Sequence, residues 1–222
     1  MDTRSLRHAR LFIRLFSALA LLPFLLSTGV AKAVFGTTSS YWGLSYLETT
    51  YEEAGGIERL ASDPPEREFH GQTETGISAL VGYPGRTNIG LLGTLGFEGH
   101  LTYVPGFNAE DLELDFLIFG GSARATFEIL PGLDLFGTLG LIYGSASAER
   151  EPASFRSEDD ETGGGFGYRF SIGAQVALTD STGITMFSET QAFEVDDPWG
   201  GDNANAFDQE LQSSGIGVVR YF

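Results

Sequence analysis

Period-two alternation runs through this chain in segments longer than about ten residues, and a pattern of that period builds strands, not helices. From Phe166 the apolar positions are Phe166, Tyr168, Phe170, Ile172, Ala174, Val176 and Leu178, while Arg169, Ser171, Gly173, Gln175 and Ala177 between them are polar or small. A second set, Ile89, Leu91, Gly93, Leu95, Phe97, Gly99, Leu101 and Tyr103, is answered on the other parity by Asn88, Thr94, Glu98, His100 and Thr102. Leu133, Leu135, Gly137, Leu139, Leu141 and Tyr143 form a third. Soluble strands usually run ~3–10 residues. These are longer, and long enough to cross a bilayer when tilted.

The N-terminus reads differently. Arg4, Arg7, Arg10 and Arg14 precede an apolar run from Leu15 to Val30, followed by Ala31-Lys32-Ala33. The run is 16 residues long and holds Pro23, short of the ~20 apolar residues of a spanning helix. A basic start, a short apolar core and a small-x-small site predict a Sec-type signal peptide over residues 1–33. Ala31 and Ala33 would be its cleavage residues, leaving 34–222, which carries the strand pattern, as the expected exported domain and the expected barrel domain. Export, together with Phe222 as the last residue, points to the outer membrane of a Gram-negative-type envelope. The leader holds five of the 13 basic residues and one of the 30 acids, so residues 34–222 carry 8 Arg, no Lys and 29 acids, a formal charge of −21. Such a surface repels nucleic acid and offers no polybasic patch to anionic lipid. With no cysteine there is no disulfide stapling, and closure of the sheet must hold the fold.

Turn residues punctuate the strands. Tyr83-Pro84-Gly85-Arg86, Leu130-Pro131-Gly132 and Thr179-Asp180-Ser181-Thr182-Gly183 read as tight turns. Longer polar, acidic connections fall near 52–69, 104–111, 149–164 and 196–206. The predicted strands are 39–51, 70–83, 87–103, 112–129, 133–148, 165–179, 183–195 and 206–222. Gly93-Thr94-Leu95-Gly96 recurs as Gly137-Thr138-Leu139-Gly140, a trace of hairpin duplication. In 112–129 the polar parity changes from Glu113 and Asp115 to Arg124 and Glu128, which predicts a bulge near Gly120-Gly121. The facings of 39–51 and 183–195 stay open. An even strand count with short turns on one side and long loops on the other predicts an all-β fold: a closed antiparallel eight-stranded up-and-down transmembrane β-barrel. Aromatics near strand ends (Tyr83, Tyr103, Tyr143, Phe166, Tyr221 and Phe222) suit its interfacial girdles. A secreted, ligand-carrying soluble barrel is the competing architecture.

The segments 133–148, 165–179 and 206–222 resemble the eight-stranded outer-membrane β-barrel family, relatives of the transmembrane domain of outer membrane protein A. The likeness is one of pattern: a Gly-rich strand after a short turn, the aromatic–Gly–aromatic start Phe166-Gly167-Tyr168, a Thr-Asp turn, and a closing strand ending in Phe. It covers essentially all of 34–222. The family's closing strand usually carries an apolar residue two positions before the final Phe, where this chain has Arg220. The resemblance implies outer-membrane lipid and lipopolysaccharide as surroundings, and the barrel-assembly machinery as a partner. That machinery would read Ile216, Val218 and Phe222.

Catalytic motifs are absent. Lys32 is the only lysine, so residues 34–222 hold no phosphate loop with its Lys; there is no Gly-x-Ser-x-Gly and no His-Glu-x-x-His. His100 shares a parity with Glu98, a base beside an orienting acid, which keeps a lipid-modifying enzyme among the alternatives. The inward set Glu98, His100, Arg124, Arg169, Gln175 and Glu189 is better read as structural. An eight-stranded lumen is just wide enough for side chains to fill, and charges buried there must pair. The acidic loops could take divalent cations, but none has the spaced Asp-x-Asp-x-Asp-Gly pattern, and a solvated acidic surface is the simpler reading. No cofactor is expected. The expected protein is a monomeric, non-enzymatic barrel serving envelope structure or surface interaction, with a small porin-like conduit as the alternative. Because the chain stops at the barrel, no following domain is expected to tether it to the cell wall.

Overall fold

The computed structural model describes residues 40–54, 71–88, 93–109, 112–150, 161–195 and 207–222, and every element among them is a β-strand. The strands are β1 Tyr41–Ala54, β2 Thr73–Asn88, β3 Gly93–Ala109, β4 Leu112–Leu130, β5 Leu133–Arg150, β6 Glu161–Thr179, β7 Thr182–Val195 and β8 Phe207–Tyr221. Each is antiparallel to the next, and β8 returns to pair with β1, from Tyr41 opposite Tyr221 up to Ala54 opposite Gln209. Closure removes both sheet edges, which lets every strand satisfy its backbone groups without water. The predicted signal peptide with Ala31 and Ala33, and most of the acidic loop residues, lie outside the described residues.

The register fixes the shape of the barrel. Stepping from Tyr41 across Gly82, Glu98, Ser122, Gly140, Arg169, Gln191 and Leu211 returns to β1 at Tyr51, ten residues further on. A stagger of that size goes with strands tilted by about 40°. The apolar parity of the alternating segments points outward: Leu141 is 75% and Phe166 79% exposed. The polar parity lines the lumen.

Three predicted details are corrected. Tyr83–Arg86 is not a turn. β2 continues to Asn88, with a register shift between Tyr83 and Thr87 where Pro84 cannot donate to the ladder. The predicted long loop 104–111 is mostly strand: β3 runs to Ala109 and β4 starts at Leu112. The turn-like Pro105-Gly106 is instead a bulge, with a shift between Val104 and Phe107, and Gly106 has φ 87°, where a side chain would be strained. The predicted bulge at Gly120-Gly121 is absent, since β4 pairs without interruption there on both sides. Even-numbered residues of β4 therefore face inward throughout. Glu113 and Asp115 lie on the outward parity, and Asp115 accepts the Tyr103 hydroxyl and the Gly106 amide, both at 2.9 Å.

Because β4 keeps its parity, Leu114, Phe116 and Ile118 enter the lumen. They join Tyr51, Val104, Phe107, Ile142, Phe193 and Leu211 in a dry cluster at the long-loop end. Its rings stack edge to face, Phe107–Phe116 at 5.7 Å and Phe116–Phe193 at 6.0 Å between centroids. The Phe193 ring occupies the space a side chain at Gly144 would need. Nearer the short turns the lumen is polar.

Candidate functional site

The polar half of the lumen is built around Glu98 of β3. The ladder row from Glu98 to Arg169 passes only Ser122 and Gly140, so two small inward positions leave Arg169 room to reach across. Arg169 donates from Nη1 to Glu98 Oε1 at 3.1 Å, and from Nε to Glu189 Oε2 at 2.8 Å. The second oxygen of Glu98 accepts Arg124 Nη1 at 3.2 Å and the Tyr41 hydroxyl at 3.0 Å. Arg124 also donates from Nη2 to Gln175 Oε1 at 3.2 Å and from Nε to Thr126 at 3.3 Å, while its guanidinium lies 3.8 Å over the Phe136 ring. Gln191 donates to Glu189 at 3.0 Å, and Gln175 donates to the Tyr221 hydroxyl. Two arginines and two glutamates, all about 95% or more buried, make a network of zero formal charge. Neutrality and a full set of partners are what a low-dielectric interior requires of buried ions.

Of the six predicted interior residues, Glu98, Arg124, Arg169, Gln175 and Glu189 meet in this network. His100 does not: it is 6% exposed and inward, yet neither ring nitrogen has a hydrogen-bond partner. The buried hydroxyls of Ser45, Ser122 and Thr185 are likewise unpartnered, so no hydroxyl is paired to His100 as a nucleophile would be to its base. His70 lies outside the described residues. Among the described residues no three carboxylates or histidines converge as a metal site would need. Pattern reasoning missed Tyr41 and Tyr221, whose rings stand 5.6 Å apart at the floor of the network. Tyr221 was expected in the outer girdle; it sits instead on the inward parity of β8, one residue short of the outward Phe222. Chain ends favour neither facing by composition, and only the odd parity shared with Leu211 and Ser213 carried the signal.

Below the network an open vestibule of about 660 Å³ reaches the short-turn end, lined by Tyr41, Arg124, Glu128, Asp134, Gln175 and Tyr221. It stops at Arg124. Beyond the network stands the apolar cluster of Tyr51, Phe107, Phe116 and Phe193. The lumen is thus occupied at two successive levels by unlike chemistry. On β8, Ile216, Val218 and Phe222 face outward and are about half exposed, while the Phe222 amide donates to Ser40 O at 3.0 Å.

The sequence pattern of the outer membrane protein beta-barrel domain matches residues 17–222. Among solved structures, Neisserial surface protein A aligns with a TM-score of 0.59 at 14% identity, covering 84% of this chain and 100% of its own. Ail, the attachment invasion locus protein of Yersinia pestis, aligns at 0.49 and 16% identity, covering 83% of this chain and 99% of its own. No match emerges among curated protein sequences.

Proposed function

This chain belongs to the outer membrane protein beta-barrel domain family, and from that premise we propose that it is a closed, non-enzymatic barrel serving envelope structure or surface interaction rather than solute passage. The observation that carries this reading is the doubly occupied lumen. A solute entering the vestibule meets the Glu98–Arg124–Arg169–Glu189 network, and behind it rings packed at 5.5–6.0 Å. Passage would require parting paired ions and opening a dry core together. Among the described residues no hydroxyl is hydrogen-bonded to His100, which favours a non-enzymatic role. On this reading the chain is exported by its leader and cut after Ala33. The assembly machinery grips Ile216, Val218 and Phe222, lipid and lipopolysaccharide surround the outward parity, and the loops meet the exterior.

The experiment is conductance in planar bilayers. Folded protein should give no open-channel current. A stable current that persists when Arg169 is replaced would favour the porin-like conduit instead. Binding of the folded barrel to host or envelope surfaces should then depend on the loops over 55–70, 151–160 and 196–206, tested by replacing each with a short turn.

A further inference from the structure

The outward face is not uniform around the barrel. On β6 seven successive outward positions from Phe166 to Leu178 are apolar, about 30 Å of height at ~3.3 Å per residue and ~40° tilt. β5 is apolar or glycine from Leu133 to Tyr143. β7 offers only Ile184 and Met186 before Ser188 and Thr190. β8 stops at Ile216 and continues with Ser214, Gln212 and Glu210, and β1 stops at Tyr46 before Glu48 and Thr50. From Ile216 to the chain end the outward positions of β8 are Ile216, Val218, the charged Arg220 and Phe222, about 15 Å in all, against a barrel norm of ~25 Å.

The register lines these polar positions up. Ser188 faces Ser214, which faces Glu48, which faces Thr75; the next row is Thr190, Gln212, Thr50 and Thr73. Both rows start inside the apolar band, since Ser188 is opposite Ile172 and Thr190 opposite Phe170. Height can be compared directly. The row through Leu141 runs by Tyr168 and Ala192 to Glu210, climbing about four residues on the way at the ladder's stagger. Leu141 therefore stands level with Ser214, on opposite sides of the barrel. The small side chains of Ala174, Ser188 and Ser214 leave an open groove of about 950 Å³ there, bordered by Tyr46, Glu48 and Ile216.

Hydroxyls and a carboxylate facing hydrocarbon are costly unless something hydrates or pairs them. A second copy packed face to face would set Glu48, Glu194 and Glu210 against the same acids of its partner, a like-charge juxtaposition. Water and headgroups carry no such penalty, and a short apolar stretch draws the bilayer thin. We propose that the outer leaflet is thinned over β7, β8 and β1, so that water and polar headgroup atoms descend onto Ser188, Ser214 and Glu48. The short belt lies over the seam where the last strand closes on the first. This rests on the membrane placement of the barrel.

The chain has no cysteine, so single-cysteine variants report cleanly. Ser214→Cys and Leu141→Cys, folded into phosphatidylethanolamine–phosphatidylglycerol vesicles, are exposed to a membrane-impermeant maleimide. The reacting thiolate does not form in hydrocarbon, so Ser214→Cys should label at least about tenfold faster than Leu141→Cys. Slow labelling at both sites overturns the thinning while leaving the barrel in lipid. Fast labelling at both overturns the membrane placement itself. Spontaneous disulfide dimers of Ser214→Cys would show a second copy covering the face, which also overturns the proposal. If Ser214→Cys folds poorly, Ser188→Cys on the neighbouring strand carries the same comparison.

Discussion

Single side chains decide how the lumen is held. Arg169 bridges Glu98 and Glu189 while 3% exposed. Arg169→Ala leaves two carboxylates buried with fewer partners, at a cost of roughly 3–5 kcal/mol. Chemical unfolding followed by gel mobility should record that loss. The double variant Arg169→Ala with Glu189→Ala should cost less than the two single losses combined, because the second removal takes away an orphan the first created. His100 should behave in the opposite way. Its ring nitrogens have no partners, so His100→Leu removes buried polar atoms already paying for their desolvation, and stability should hold or rise by about 1 kcal/mol. A drop of more than about 2 kcal/mol would mean that the imidazole has a partner in the folded barrel.

Strands show what the sequence could and could not convey. Deleting Phe222 removes an outward ring and the amide that ties the chain end to Ser40, next to the β1–β8 seam. Arg220 is outward and exposed two residues before the chain end at the same rim, where a guanidinium can reach water. The Phe222 deletion should therefore lower outer-membrane insertion far more than Arg220→Leu, read as heat-modifiable folded bands in membrane fractions. Equal insertion of the deletion and the parent would remove the seam from the account. β6 was legible because its outward parity is apolar and its inward parity small or polar; β5 was legible from its outward parity alone, since Phe136 and Ile142 face inward. β4 was not: Leu114, Phe116 and Ile118 face inward while Leu117 and Phe119 face lipid, so both faces are apolar and parity carries no contrast. The β3–β4 hairpin was hidden for another reason, since Pro105-Gly106 reads equally as a turn or as a bulge. Asp115 decides between them by holding Tyr103 and Gly106. Asp115→Ala should cost about 1–3 kcal/mol locally and speed amide exchange across β3 and β4 near the hairpin.

Across the whole barrel, the lumen is filled by two successive layers of unlike chemistry, and this sets a sharper expectation than either layer alone. The charge network was readable from Glu98 and Arg169 on inward parity; the apolar layer was not, because on β4 the outward face is apolar too, while Tyr51, Phe193 and Leu211 reverse the pattern, apolar inward and flanked by outward Thr50, Glu194 and Gln212. If only the ions blocked the lumen, Arg169→Ala would open a leak. The rings of Tyr51, Phe107, Phe116 and Phe193 stand behind them, however, within 6.0 Å of one another along the stack. Phe116 touches the other three, and truncating it to Ala removes the ring at the centre of that layer, costing about 3–5 kcal/mol in packing. Either single variant should stay closed in planar bilayers. Only Phe116→Ala combined with Arg169→Ala should conduct, provided each variant still runs as a folded, heat-modifiable band. A leak from Arg169→Ala as large as that of the pair would show that the ions alone close the barrel and that the apolar layer is permeable to water and ions.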